Sequence, residues 1–76
     1  MTELRSRFAS LTQRERSVLE GVVAGKLNKQ IAHDLGVAER TVKAHRAQVM
    51  AKMGADSPAM LGRIVEQLGQ RPEPAA

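Results

Sequence analysis

The chain has 76 residues, a formal net charge of +4 from 12 Lys and Arg against 8 Asp and Glu, and no cysteine. This length allows one small domain without a large internal pocket, and the lack of cysteine excludes disulfides and cysteine-based metal sites. The basic balance favours an anionic partner, and a single aromatic residue, Phe8, favours duplex DNA over RNA because RNA binders use aromatic stacking platforms.

Other function classes find little support in the composition. No apolar run reaches the roughly 20 residues of a membrane span, and the basic start lacks the apolar core of a signal peptide. The two histidines, His33 and His45, cannot complete a structural zinc site by themselves, and no catalytic constellation is visible. We therefore expect a cytoplasmic protein that is neither an enzyme nor membrane-bound and that needs no metal or cofactor.

The N-terminal part predicts one helix after a polar start. Residues 1–10 have Phe8 as their anchor, and we interpret them as a linker end or a disordered N-terminus. The sequence Thr12-Gln13-Arg14-Glu15 has the form of a capping box, which predicts a helix from about Gln13 to Ala24 before Gly25. The inward stripe of this helix is Val18, Leu19, Val22 and Val23.

Two further helices are predicted on either side of a turn at Gly36. The shorter one runs from about Lys29 to Leu35, with Asn28 as its N-cap. The longer one runs from about Glu39 to Met53. At about 100° per residue, one face of the longer helix is apolar and the opposite side carries small and basic residues. The apolar stripe is Val42, Val49 and Met53, and the opposite side holds Arg40, Lys43, Ala44, Ala47 and Ala51.

The last predicted helix follows Gly54. Ser57 and Pro58 form a cap and first-turn signal for a helix to about Leu68. Residues 70–76 contain two prolines and are expected to be disordered. The predicted fold is all-α, with four short helices in residues 11–69: a tri-helical helix-turn-helix core plus a C-terminal scaffold or dimerisation helix.

The stretch from Asn28 to Met53 has the outline of a helix-turn-helix that reads DNA. Together with Leu11-Thr12-Gln13-Arg14-Glu15-Arg16 and the segments between, it resembles the LuxR-type helix-turn-helix domain, in particular the C-terminal output domain of FixJ-like response regulators. The resemblance runs in order and in register from Leu11 to Met53.

The resemblance implies sequence-specific binding of double-stranded DNA by the effector domain of a bacterial transcriptional regulator, with the Glu39 to Met53 helix in the major groove. It also implies a homodimer on DNA and, in a two-component system, a covalently linked upstream receiver or sensor domain, although stand-alone members exist. We favour a C-terminal fragment. Ala38 replaces a common Ser cap, and Ala47 replaces a longer base-reading side chain in many members, so the operator cannot be transferred.

Candidate DNA contacts on the longer helix each have an alternative role. Lys43, on the outward face, can reach a base edge or a phosphate, or can be merely solvated. Arg40 near the helix start can meet the backbone or a guanine, and Arg46 on the flank suits a phosphate contact or an intramolecular pair equally. Ala44 and Ala47 allow close approach to the groove, or simply favour helix.

Further candidates lie outside this centre. Lys29, at a helix start, suits a phosphate clamp. The Thr41 hydroxyl suits a phosphate or its own turn, and a DNA backbone contact by Lys52 is implied by the family more than by the pattern. His45 is expected to pack. Met60 is a candidate dimer contact, and simple partial burial within the domain explains its position equally well.

Two rival functions stay open at this point. One is a protein-interaction module that docks through the last helix while its basic face is incidental, and the other is a membrane-surface amphipathic bundle. The salt dependence of binding distinguishes both rivals from DNA binding, because phosphate contacts make the logarithm of the affinity fall steeply with the logarithm of the salt concentration.

Overall fold

The structure, a computed structural model, describes residues 2–69, and this part of the chain contains five α-helices and no strand. The all-α prediction is confirmed, and the four predicted helices match α2 to α5 with each end within one residue. The predicted disordered tail, residues 70–76, lies outside the described residues. The helices are α1 (Thr2–Ala9), α2 (Gln13–Val23), α3 (Asn28–Leu35), α4 (Glu39–Met53) and α5 (Pro58–Gln67).

Helix α1 is additional to the four predicted helices. A helix of eight residues is marginal by itself, so its stability must come from packing that no local pattern reveals. Leu4 and Phe8, one turn apart, pack partly buried against the core, and the Arg16 guanidinium lies 4.7 Å from the centroid of the Phe8 ring. Residues 2–9 are therefore helical, and the interpretation of this segment as a linker end stays a prediction.

The predicted helix starts at Thr12 and Ser57 are confirmed. The Thr12 hydroxyl accepts a hydrogen bond from the Glu15 amide at 3.1 Å, and the Glu15 carboxylate accepts one from the Thr12 amide at 2.9 Å, which completes the capping box. The Ser57 hydroxyl accepts a hydrogen bond from the Met60 amide at 3.1 Å. Gly36, at φ +69°, ends α3 in the left-handed conformation that a glycine adopts without steric penalty.

The prediction that Asn28 caps α3 is wrong. Leu27 occupies the N-cap position and Asn28 is the first helical residue. The side-chain oxygen of Gln30 accepts a hydrogen bond from the Leu27 amide at 2.8 Å, so the helix start is satisfied from inside the helix. The Asn28 side chain is thereby free to contact α4.

Helix α4 lies across α2 and α3 and supplies the centre of the core. Its predicted inner stripe is confirmed, because Val42, Val49 and Met53 are all at most 1 % exposed. Ile31 of α3 is also buried, directly against the backbone of Gly21 in α2. None of the helices between residues 2 and 69 has the length and apolar character required to cross a bilayer. The fold therefore buries one side of α4 in the core and leaves the opposite side exposed to solvent.

Candidate nucleic-acid interface

The side of α4 opposite its buried stripe is open to solvent. We call this the outward face, and all of its residues are exposed. Because Val42, Val49 and Met53 fix the inner direction, the exposed direction follows from helical geometry alone. The prediction that the side bearing Lys43 is open is confirmed. The outward face comprises Arg40, Lys43, Ala44, Ala47, Gln48 and Ala51.

Arg40 and Lys43 carry unpaired charge on the outward face. In the part of the chain that the structure describes, neither side chain forms an ion pair or a hydrogen bond. An anion can therefore bind them without first breaking an internal contact. Arginine and lysine in such a position suit either phosphate oxygens or the acceptor edge of guanine.

The middle of the outward face is smooth. Ala44, Ala47 and Ala51 recur at spacings of three and four residues, so their methyl groups line one strip of exposed helix. With no longer side chain on this strip, the helix backbone can come close to an opposing surface. A methyl group there can also contact the methyl group of thymine.

Arg46 has an intramolecular partner. Its guanidinium donates a hydrogen bond to the side-chain oxygen of Asn28 at 2.9 Å, which ties the middle of α4 to the start of α3. The side chain is half-buried. A guanidinium has five N–H donors, so this bond leaves other donors for a phosphate. The intramolecular pair and a phosphate contact are therefore compatible with each other.

Lys52 lies on the flank of α4 that faces α2, away from the outward face. Its ammonium group is 2.8 Å from the Glu15 carboxylate and 3.4 Å from the carbonyl oxygen of Ser10. Glu15 is 5 % exposed, so this bridge joins the start of α2 to the last turn of α4 in a largely buried place. No local spacing in the sequence predicts this pair, because 37 positions separate its members.

The surroundings of Glu15 favour its charged form. The ammonium of Lys52, followed by the amide of Thr12, lowers the pKa of this carboxyl below its ordinary value of 4.5, against the opposing effect of burial. The same oxygen accepts both hydrogen bonds. Glu15 is therefore a helix cap and an ion-pair partner at once.

The other candidates differ in their accessibility. Lys29 is exposed at the start of α3, and its side chain forms no hydrogen bond or ion pair within residues 2–69. Thr41 is half-buried, and its hydroxyl forms no hydrogen bond in that range, so the alternative of capping its own turn is not seen. The DNA contacts predicted for both residues stay predictions.

Met60 and His45 are half-buried. The Met60 sulfur accepts a hydrogen bond from the Asp56 amide at 3.4 Å, while its side chain packs against the core. A dimer contact by Met60 stays a prediction. No group of three or more side chains that could hold a metal ion forms within residues 2–69. The packing role of His45 stays a prediction.

Comparison with known proteins assigns this arrangement to a family. Residues 9–65 match the family described as bacterial regulatory proteins, luxR family. The chain is 56 % identical over 55 residues to the transcriptional regulatory protein FixJ of Rhizobium meliloti, which covers 72 % of this chain and 27 % of that protein. It is 49 % identical over 71 residues to FixJ of Azorhizobium caulinodans, which covers 93 % of this chain and 34 % of that protein.

A solved structure supports the same assignment. The solution structure of the C-terminal transcriptional activator domain of FixJ from Sinorhizobium meliloti matches with a TM-score of 0.79 and 50 % identity, covering 92 % of this chain and 89 % of that one. The chain thus spans about a third or less of the two FixJ relatives, but most of that domain. The resemblance to FixJ-like response regulators is confirmed. The chain belongs to the luxR family of bacterial regulatory proteins.

Proposed function

We propose that the domain binds double-stranded DNA in a sequence-dependent way, with the outward face of α4 in the major groove. The observation that carries the proposal is the pairing of two unpartnered cations, Arg40 and Lys43, with a smooth alanine strip on one exposed helix face. A major groove about 12 Å wide admits a helix of this kind. In this arrangement Lys43 and Arg40 contact bases, and Ala44 and Ala47 allow the close approach.

The remaining candidates set the register on the phosphate backbone. Lys29 and the free amides at the start of α3 form a clamp for one phosphate, and the Thr41 hydroxyl adds a second contact. Arg46 and Lys52 contribute through donors that their internal partners leave unused. Their contribution to affinity is smaller than that of Lys43, because each is held half-buried by a bond inside the domain.

The wider context of the domain is also part of the proposal. The chain covers a minor fraction of each FixJ relative, which supports a covalently linked upstream receiver or sensor domain in a cytoplasmic two-component regulator, with α1 as the end of the linker. Two copies bind paired half-sites as a homodimer on DNA, with Met60 of α5 near the contact. Family membership disfavours the rival protein-interaction module.

Duplex binding measured against salt tests the proposal. A duplex selected from a random pool is titrated with the parent domain and with Lys43→Ala over a range of salt concentrations. We expect the parent's log affinity to fall with log salt by about 0.9 for each neutralised phosphate, and Lys43→Ala to lose about 1–3 kcal/mol of specific binding.

Arg63→Ala provides the matched control. It removes one positive charge from an exposed position on α5, whose periodicity places it opposite the buried Leu61 and Val65. We expect its affinity to stay close to the parent value. A folded parent domain that ignores duplex DNA at low salt, or equal losses for the two variants, contradicts the proposal.

A further inference from the structure

Gln48 is a feature of the outward face that the predicted contact set does not include. Its side chain is exposed and makes no hydrogen bond to any residue between positions 2 and 69. At about 100° per residue, it lies about 60° from the direction opposite the buried stripe, whereas Lys43 lies about 80° away on the other side. Gln48 therefore points at least as directly outward as Lys43.

The neighbours of Gln48 are small. Ala44, Ala47 and Ala51 lie four residues before it, one before it and three after it, and all three are exposed. On this side of α4 the glutamine amide thus projects beyond a surface of methyl groups. The same alanines allow α4 to lie along a groove over about two turns of helix, so contact is not restricted to its first turn.

The position along the helix sets the distance between two contacts. Lys43 and Gln48 are five residues apart, or about 7.5 Å at 1.5 Å per residue. This corresponds to about two base-pair steps of 3.4 Å. Since the two side chains leave opposite sides of the alanine strip, they lie on opposite sides of the helix axis above the base pairs of the same groove.

The chemistry of the side chain identifies what it would recognise. An amide donates and accepts at once, and it matches the N6 donor and N7 acceptor of adenine in the major groove. We propose that Gln48 is a specificity-determining residue that reads an adenine about two base pairs from the base pair contacted by Lys43. This inference rests on the proposed function, because it requires α4 to lie in the major groove.

Selection from a random duplex pool, carried out with the parent domain and with Gln48→Ala, tests this inference. We expect the parent to select an adenine at a position where Gln48→Ala selects none, with the other positions unchanged. On the parent's selected duplex, Gln48→Ala should bind about 5- to 150-fold more weakly, which corresponds to the usual discrimination of a bidentate amide contact. The salt dependence should not change, because an uncharged side chain releases no counterion.

Two further variants complete the test. Gln48→Glu should move the preference at the same position from adenine towards cytosine, whose N4 group donates to a carboxylate. Gln67→Ala, which removes an exposed glutamine from α5, should select the parent site. If the parent selects a site and Gln48→Ala selects the same one with equal affinity, this inference alone is overturned. A folded parent that selects no site overturns the proposed function and this inference with it.

Discussion

The four cations of α4 fall into two pairs with different surroundings. Arg40 and Lys43, the outward pair, are exposed and have no partner within residues 2–69. Arg46 and Lys52, the inner pair, are half-buried, and they bind Asn28 at 2.9 Å and Glu15 at 2.8 Å. On one helix, the same residue types thus form internal contacts at the flanks and have no partner within residues 2–69 on the outward face.

The difference shows how the fold presents a binding surface. The inner pair connects α4 to α3 and to α2, in addition to the apolar stripe beneath the helix. These contacts hold α4 at a fixed angle, so the proposed binding of the outward pair in a groove requires no further ordering of the scaffold. We therefore expect loss of an inner cation to weaken the fold and loss of an outward cation to weaken DNA binding.

The largest expected effect is a loss of folding stability at a residue that has no role in DNA binding. Ile31→Ala removes a fully buried side chain that packs against Gly21 and leaves a cavity between α2 and α3. We expect the free energy of unfolding to fall by about 2–5 kcal/mol in urea denaturation. A loss below about 1 kcal/mol would show that α3 is not held as the structure indicates.

Removing an inner cation should have the next largest effect. Lys52→Met leaves the Glu15 carboxylate largely buried without its ionic partner, and we expect a loss of about 1–3 kcal/mol in the free energy of unfolding. Lys43→Ala, the outward control, should change it by no more than about 0.5 kcal/mol.

The two variants should behave in the opposite way towards DNA. At a temperature where both are folded, Lys52→Met should lose clearly less affinity for the selected duplex than Lys43→Ala does. A Lys52→Met domain of full stability but weakened duplex binding would mean that Lys52 mainly contacts phosphate, as the family resemblance implies.

The smallest expected effect is a pH dependence of stability. The pKa of Glu15 is lower in the folded domain than its ordinary value of 4.5, chiefly because of Lys52. The charged carboxylate therefore stabilises the fold fully above that value, and the contribution is lost as the pH falls through the lower, folded pKa.

Thermal unfolding between pH 3 and pH 7 measures this contribution. Stability should decrease below pH 4.5, and the decrease should be shallower in Glu15→Gln, which has no charge to lose. Identical pH profiles for the parent and Glu15→Gln would contradict the assigned role of the Glu15–Lys52 pair.

The sequence predicts those parts of the molecule that depend on nearby residues. The capping box at Thr12, the Ser57 cap and the inner stripe of α4 all follow from spacings of three or four residues, and each is confirmed. Exposure of Lys43 follows from the same periodicity. Local spacing therefore identifies both the fold class and the open face.

Contacts between distant residues were beyond such reasoning. The Arg46–Asn28 bond spans 18 positions and the Lys52–Glu15 bridge spans 37, so the charge pattern alone cannot separate inner from outward cations. The sequence does not predict helix α1, because this helix depends on packing, and the residue type of Asn28 favours a cap role that the structure does not show. Gln48 carries no charge, so the charge pattern of the sequence does not identify it as a DNA contact.

Protection of an introduced thiol tests most directly the claim that DNA binds the outward face. The chain has no cysteine, so Ala47→Cys places a single thiol on that face, and Glu20→Cys places one on the solvent side of α2, facing away from the core. We predict that a saturating amount of the selected duplex slows alkylation sharply at position 47 and leaves position 20 unchanged. Equal alkylation at position 47 with and without bound duplex would contradict the account.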